Sequence, residues 1–162
     1  MSVAAAPDIG DGGTLHDALG AKLLGDWLRN RQQLLVPLTL DLSKVDAATA
    51  ELLLRAMAAA AQAGGEPDEA DRTRLAVALE RMRATAAQRA RLDERLRSAE
   101  PVNAWLAQVT DAPTVALVYA AALLAIDQRA AAGAAWLRYL AARLGLAREL
   151  VKNLEQRYRV AL

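Results

Sequence analysis

The longest apolar stretch of the chain runs over residues 112–126, APTVALVYAAALLAI, and contains no charged residue. Asp111 precedes this stretch and Asp127 follows it. A helix that is apolar on every side is either buried inside a helical domain or crosses a membrane. A crossing needs about 20 apolar residues, and this stretch has 15. We therefore predict a buried central helix that begins at Asp111 as its N-cap, with the other helices packed around it.

The amino-acid composition favours helices throughout. Ala and Leu dominate the 162 residues, Phe is absent, and only 4% of the residues are aromatic. Ala and Leu are strong helix formers, whereas strands usually need more aromatic and β-branched residues. The length fits one domain, with or without an additional arm. The sequence therefore predicts an all-α fold, a compact bundle of about seven helices around the central helix.

The residue content argues against most kinds of catalysis. The absence of Cys excludes disulfides, thiolate metal sites and Cys nucleophiles. His16 is the only His, and a single His with a few scattered Ser residues does not assemble a nucleophile–base pair. The sequence has neither a phosphate-binding loop nor a Gly-rich dinucleotide motif. We therefore expect no enzymatic activity and no cofactor.

The chain divides into three segments. Residues 1–13 are small, polar and Gly-rich, and are predicted to be disordered. They have neither the basic start nor the apolar core of a signal peptide, so we predict a cytoplasmic protein without a membrane span. Residues 14–42 are predicted to form a helical arm, at about 15–35, followed by an extended segment. Residues 43–162 are predicted to form the helical domain.

The predicted arm helix carries an apolar stripe. Leu15, Leu19, Leu23 and Trp27 recur every four residues and therefore share one helix face. Such a face must be buried, either by folding back on the domain or by packing on a second copy of the chain. We predict that these four residues form or cover the main interaction surface of the protein.

Local signals place the helices of the domain. Asp46 is an N-cap candidate, Thr85 and Gln88 have the spacing of a capping box, and Gly64–Gly65 and Gly145 follow apolar periods as helix ends. Helices are predicted at about 47–63, 69–83, 86–98, 101–110, 112–126, 131–144 and 147–159.

Two patterns concern surfaces. The alternation of Leu38, Leu40 and Leu42 predicts an extended segment laid over the core. Glu51 and Arg55 lie four residues apart, which predicts an ion pair on the outer face of the helix at about 47–63.

A helix–acidic turn–helix unit occurs twice, as AAAAQAGGEPDEADRTRLAVAL from Ala58 and as AALLAIDQRAAAGAAWLRYLAARL from Ala121. Gly64 and Asp127 fall at equivalent positions of the two units. The residues that carry a family likeness are Tyr119, Leu124, Ala125, Ile126, Asp127, Trp136-Leu137, Leu140-Ala141 and Leu144-Gly145-Leu146. They resemble the TerB-like (tellurite-resistance) superfamily, and most closely its YebE-like branch of uncharacterised bacterial proteins. The resemblance covers about residues 47–160, so residues 14–42 count as an addition.

The resemblance implies an all-helical domain that acts as a protein-interaction module in a tellurite-type stress response. Some TerB-like proteins are thought to bind a divalent metal through acidic turns, since hard cations take several carboxylate and carbonyl oxygens. The corresponding candidates here are Glu66, Asp68, Asp71 and Asp127.

The acidic turns depart from the family pattern. Gly64 stands where family members tend to carry Asp, and Arg129 and Gly133 stand where further acids are expected. In the alternative structural reading, Asp68 caps the following helix, and Asp127 pairs with Arg129 or caps the helix at 131. We therefore expect no metal site, and divalent-metal binding is kept as an alternative function.

The basic segment from Arg72 to Arg97 suggests nucleic-acid binding as a further alternative. It contains eight Arg against three acidic residues, a net charge of +5. No aromatic residue lies between these Arg to stack on bases. The sequence therefore favours a solvated helix face, in which Asp93 and Glu94 offset Arg91 and Arg95, and a protein partner or a homodimer over nucleic acid.

Overall fold

The computed structural model describes residues 40–158 of the chain. This part contains seven helices and no strand, so the predicted all-α fold is confirmed. The helices are α1 (Ala47–Ala61), α2 (Glu69–Arg81), α3 (Ala86–Arg97), α4 (Val102–Leu106), α5 (Ala112–Ala125), α6 (Ala131–Arg143) and α7 (Arg148–Arg157). The predicted disordered segment 1–13, the arm helix and Leu38 lie outside the described residues.

Helix α5 is the buried centre of the bundle, as the charge-free stretch predicts. Every residue from 116 to 126 is buried, and Leu117 and Leu124 are each only 8% exposed. The helix starts at Asp111, whose Oδ1 accepts a hydrogen bond of 2.9 Å from the backbone N–H of Thr114. Pro113 lies in the first turn of α5. Backbone N–H groups of the first turn have no intrahelical acceptor, so the helix loses no hydrogen bond through the N–H that Pro lacks.

Helix α1 is the main partner of α5, and these two helices share the most extensive helix–helix contact. Most of α1 is buried, with small Ala side chains on several sides, and small residues allow two helix backbones to approach closely. Helices α2, α6 and α7 pack on α5, while α3 and α4 pack on α1. The core therefore lies between α1 and α5, and the remaining helices cover it.

The helix ends follow local chemistry, with small shifts from the prediction. Asp46 accepts from the Thr49 backbone N–H at 2.9 Å, and Thr85 and Gln88 form the predicted capping box. Helix α1 ends at Ala61, before the predicted 63, and the left-handed residue after it is Gly65, with φ of +123°.

Other predicted ends also differ. Helix α4 ends at Leu106 rather than near residue 110, although its predicted anchors, Trp105 and Leu106, are both buried. Gly145 ends the α6 segment with φ of +64°, as expected.

The segment before α1 lies on the core. Leu40 and Leu42 are both 3% exposed, and the Leu42 backbone N–H donates to the Met82 carbonyl at 2.8 Å. The predicted apolar alternation is therefore confirmed for its two described members.

None of the helices within residues 40–158 has the length and apolar character needed to cross a lipid bilayer.

Candidate interaction groove

A groove of about 1000 Å³ lies between α2 and α3. The two helices are joined by a tight turn in which Arg83 adopts a left-handed conformation, with φ of +55°. The groove is lined on both sides by Leu side chains, which are Leu75 and Leu79 from α2 and Leu92 and Leu96 from α3. Because each helix turns its few Leu residues towards the core, the polar residues beside them form the groove's outer edge.

Charged side chains line this edge. Arg72, Arg89 and Arg97 contribute positive charge, and Glu66 and Asp93 contribute negative charge. Arg72 and Arg97 are exposed and form no ion pair with any described residue. The groove therefore combines an apolar base with guanidinium groups that are available to a ligand.

Helix α3 is attached to α1 by a charge cluster that includes Glu51 and Arg55. Glu51 contacts Arg91 Nη1 at 3.3 Å and also accepts a hydrogen bond from Arg95. Arg95 Nη1 lies 3.1 Å from Glu100 Oε2, and Arg55 Nε lies 3.7 Å from both Glu51 Oε1 and Glu100 Oε2. We call these five residues the Glu51 cluster.

The Glu51 cluster corrects two predictions. The pair of Glu51 and Arg55 was expected on the outer face of its helix, but both side chains are about four-fifths buried under α3. Arg91 and Arg95 were expected to be offset by Asp93 and Glu94 of the same helix, whereas their ion pairs are with Glu51 and Glu100. Both expectations considered one helix at a time, and the partner helix changed the outcome.

Internal pairing also reduces the positive charge of the basic segment. Arg91 and Arg95 pair with Glu51 and Glu100, and Arg74 Nη1 lies 2.6 Å from Asp71 Oδ1. These three acids lie outside residues 72–97, and Glu51 and Glu100 are shared with Arg55, so the net charge of this surface falls from +5 to +3 once all four residues are included. A nucleic-acid backbone therefore meets fewer free Arg side chains than the sequence suggests.

The carboxylates of the first acidic turn stabilise a helix start. Asp68 is the N-cap of α2, and its Oδ1 accepts from the Asp71 backbone N–H at 2.8 Å, while Asp71 Oδ2 accepts from the Asp68 N–H at 3.1 Å. The Asp71 backbone hydrogen bond lowers the pKa of Asp68 below its usual 3.8. The predicted capping role of Asp68 is confirmed. Glu66 is exposed at the edge of the groove.

Asp127 has a local role in the second turn. Its Oδ1 accepts from the backbone N–H of Arg129 at 2.9 Å. Ala130 is the N-cap of α6 and provides no side-chain cap. The structure therefore shows neither of the two alternatives for Asp127, an ion pair with the Arg129 side chain or a cap on α6: its carboxylate contacts Arg129 through the backbone N–H alone.

The departures from the family's acidic pattern have a packing explanation at Gly133. A Cβ atom on Gly133 would lie 2.1 Å from the Asp127 carbonyl oxygen, far inside contact distance. The first turn of α6 therefore packs directly on the backbone of the preceding turn, and only Gly permits this approach. A Cβ on Gly64 would lie 3.9 Å from the Ala132 Cβ, so the two equivalent turns are neighbours in the fold.

The structure does not gather the four metal candidates into one site. Asp68 and Asp71 are adjacent but bind each other's backbone, and Asp127 binds that of Arg129. Within residues 40–158, no three His, Cys, Asp or Glu side chains are grouped in a way that suits a metal ion.

A family described as "Protein of unknown function (DUF533)" has a sequence model that matches residues 13–158. The chain belongs to the DUF533 family. DUF533 is a TerB-like family, which agrees with the resemblance carried by the repeated unit. Comparisons with curated proteins and with solved structures find no match.

The family match changes the view of the N-terminal arm. The match to the family model begins at residue 13, whereas the resemblance was expected to begin near residue 47. The expectation that residues 14–42 are an addition to the family is therefore wrong, because a DUF533 protein includes them. The predicted interaction residues, Leu15, Leu19, Leu23 and Trp27, lie outside the described residues, and their role stays a prediction.

Sequence reasoning missed the residues that fasten α3. Glu100 was not singled out, nor was Gln62, whose Nε2 donates to the Leu96 carbonyl at 3.1 Å at the end of α3. One signal was available. Glu51 and Arg55 flank three consecutive Leu that are all buried, so charges this close to the core needed partners from another helix.

Proposed function

We propose that this DUF533 domain is a non-enzymatic, cytoplasmic protein-interaction module of bacteria, belongs to the YebE-like branch, and acts in a tellurite-type stress response. The groove between α2 and α3 is the observation that supports an interaction role. The TerB-like family membership supports the link to stress.

The chemistry of the groove suits a peptide or a protein surface. Protein interfaces combine an apolar centre with a polar rim, and Arg is enriched in them. In the groove, Leu96 is partly exposed and Ala76 and Ala99 are exposed, while Arg72 and Arg97 stand at the edge. A bound segment would therefore meet an apolar base and two guanidinium groups.

In-cell photo-crosslinking tests this proposal. A photoreactive amino acid is placed at Ala76 or Ala99 in the groove, and at exposed Ala142 on α6 as the matched control. We expect the two groove positions to yield the same crosslinked protein band and the control position not to yield it. Equal crosslinking from all three positions, or crosslinks to nucleic acid alone, would contradict the proposal.

The N-terminal stripe offers a second test of an interaction role, independent of the groove. If Leu15, Leu19, Leu23 and Trp27 form a homodimer interface, the double variant Leu19→Glu with Leu23→Glu converts a dimer into a monomer in light scattering. If they cover the domain, the same variant remains monomeric and becomes less soluble. A variant with unchanged mass, stability and solubility would show that the stripe has neither role.

The two alternative functions have weaker support. Asp68 and Asp127, two of the candidate metal ligands, form a helix-capping and a turn hydrogen bond, and internal ion pairs neutralise part of the basic segment. Calorimetric titration with calcium, magnesium and zinc tests the metal alternative. Micromolar metal binding that is lost in Asp68→Ala would contradict the proposed interaction module and favour a metal-binding domain.

A further inference from the structure

Two guanidinium groups of the Glu51 cluster present buried donors that no described residue satisfies. The Nε atoms of Arg55 and Arg95 are inaccessible to solvent and have no hydrogen-bond acceptor. Arg55 Nε lies 3.7 Å from the nearest carboxylate oxygens, of Glu51 and Glu100, which is beyond hydrogen-bond distance. Buried polar groups are nearly always paired with protein or with ordered water, so these two donors call for an acceptor.

A small cavity adjoins both Arg residues. Its volume is about 10 Å³, and Arg55, Arg95 and Glu100 all line it. Gln62 and Trp105 also line it. A cavity needs roughly 10–15 Å³, measured in this way, to hold one water molecule. The cavity is therefore of the right size for a single water and too small for an organic ligand.

We propose that this cavity is the binding site of one structural water molecule that joins α1, α3 and the segment before α4. The water oxygen accepts from the Nε–H groups of Arg55 and Arg95. One of its hydrogens is donated to Glu100, whose carboxylate lines the cavity. Such a water makes three hydrogen bonds, the usual number for a buried water, and from beside them it links Arg55 to Glu100, whose direct distance of 3.7 Å is too long for a hydrogen bond.

Chloride is the competing ligand, since the cluster contains three Arg and two Glu. The geometry favours water for two reasons. An anion would lie against the Glu100 carboxylate and be repelled by it, whereas water donates to that group. Chloride is also larger than water, and the cavity has room for about one water.

The first experiment uses the unaltered chain in solution. Protein–water NOE spectra report a water with a long residence time at the cavity-lining methyl groups of Ala58 and Ala59 and at the Trp105 ring. We expect cross-peaks of the sign of a rigidly held water at these protons. Their absence at all three residues would overturn the proposal.

A crystal structure near 1.2 Å resolution provides the second test, with three variants. We expect one density peak within hydrogen-bond distance of both Nε atoms, and its loss in Arg55→Lys and in Arg95→Lys, which keep the charge but remove Nε–H. Arg91→Lys is the matched control, because Arg91 belongs to the same cluster but is 64% exposed and does not line the cavity. The density peak in the Arg91→Lys structure should be the same as in the wild type.

Bromide soaking separates water from an anion. An anomalous bromide peak in the cavity would overturn the assignment to water. A wild-type structure with no peak in the cavity would overturn the site altogether. If either Lys variant fails to fold, the NOE and bromide measurements on the wild-type chain still decide the question.

Discussion

Helices α5 and α3 are similar in length, with 14 and 12 residues, yet different forces hold them in the domain. Helix α5 buries eleven of its residues, and its charged neighbours Asp111 and Asp127 stand outside it. Helix α3 buries only Leu92, and the rest of its attachment consists of partly buried Leu96, the Glu51 cluster and the contact from Gln62.

The difference teaches which part of the fold is robust and which is adjustable. Apolar burial is roughly proportional to the area removed from water and does not depend on direction, so α5 is fixed by many small contributions. Ion pairs at half-buried positions depend on geometry and on salt. Because α3 forms one wall of the groove, the wall of the candidate binding surface is the less firmly attached of the two helices.

The largest loss of stability is expected from a charged side chain placed inside α5. Leu124→Asp introduces a carboxylate at a position that is 8% exposed, with no partner provided for it. We expect the free energy of unfolding to fall by about 4 kcal/mol or more, measured by urea denaturation. Val77→Asp on the exposed side of α2 is the control, at 36% exposure, and should cost less than about 1 kcal/mol. An unchanged melting temperature in Leu124→Asp would refute the central role of α5.

The next largest effect is expected when the single buried side chain of α3 is truncated. We expect Leu92→Ala to lower the free energy of unfolding by about 3 kcal/mol, the usual cost of truncating a buried Leu. Amide hydrogen exchange should also accelerate in α3 well before it does in α5, because local opening follows the weaker attachment. Uniform acceleration in both helices would mean that α3 and α5 open as one unit.

A smaller effect is expected for the polar attachment of α3. Glu51→Gln removes the charge shared by Arg55, Arg91 and Arg95, and we expect a loss of about 1–2 kcal/mol, between the values for exposed and buried ion pairs. In 1 M NaCl the difference from the wild type should shrink, since salt screens exposed charges. Glu80→Gln is the control, at an exposed position of α2, and should change stability by less than about 0.5 kcal/mol. A Glu51→Gln effect that is independent of salt would contradict an ionic attachment.

The smallest expected effect is a pH dependence of stability, which distinguishes the N-cap of α5, Asp111, from the N-cap of α3, Thr85. The Thr114 backbone N–H that binds Asp111 lowers the pKa of this carboxyl below 3.8 in the folded protein. A lowered folded pKa means that the stabilisation is fully present above the unfolded value and is lost as pH falls through the folded one. We therefore expect the stability difference between wild type and Asp111→Asn to be constant from pH 5 to 7 and to change only below about pH 4.

The N-cap of α3 serves as the comparison, because Thr85 does not titrate. Thr85→Ala should cost about 1 kcal/mol at every pH, measured by the same denaturant unfolding series. If the Asp111→Asn difference persisted unchanged down to pH 2, the carboxylate cap of α5 would not be the titrating group.

The sequence alone was sufficient for the central helix and for the helix caps. The charge-free stretch identified α5, since burial of a uniformly apolar helix has no alternative in a chain of this kind. The caps at Asp46, Thr85 and Asp111 were also predictable, because each side chain binds a backbone N–H three residues ahead. Such contacts need no knowledge of the fold.

Tertiary structure alone decided the groove, the Glu51 cluster and the role of Gly133. Glu51 meets Arg91 and Arg95 across 40 and 44 residues of chain, and a spacing of this length has no periodic signature in the sequence. From the sequence, Gly133 is interpreted as the loss of an acidic residue. In the structure, a Cβ atom at this position would collide with the Asp127 carbonyl, so Gly is required for packing. The role of Glu51 depends on which side chains a distant helix brings next to it, whereas the role of Gly133 depends on how closely the turn six residues before it packs against α6.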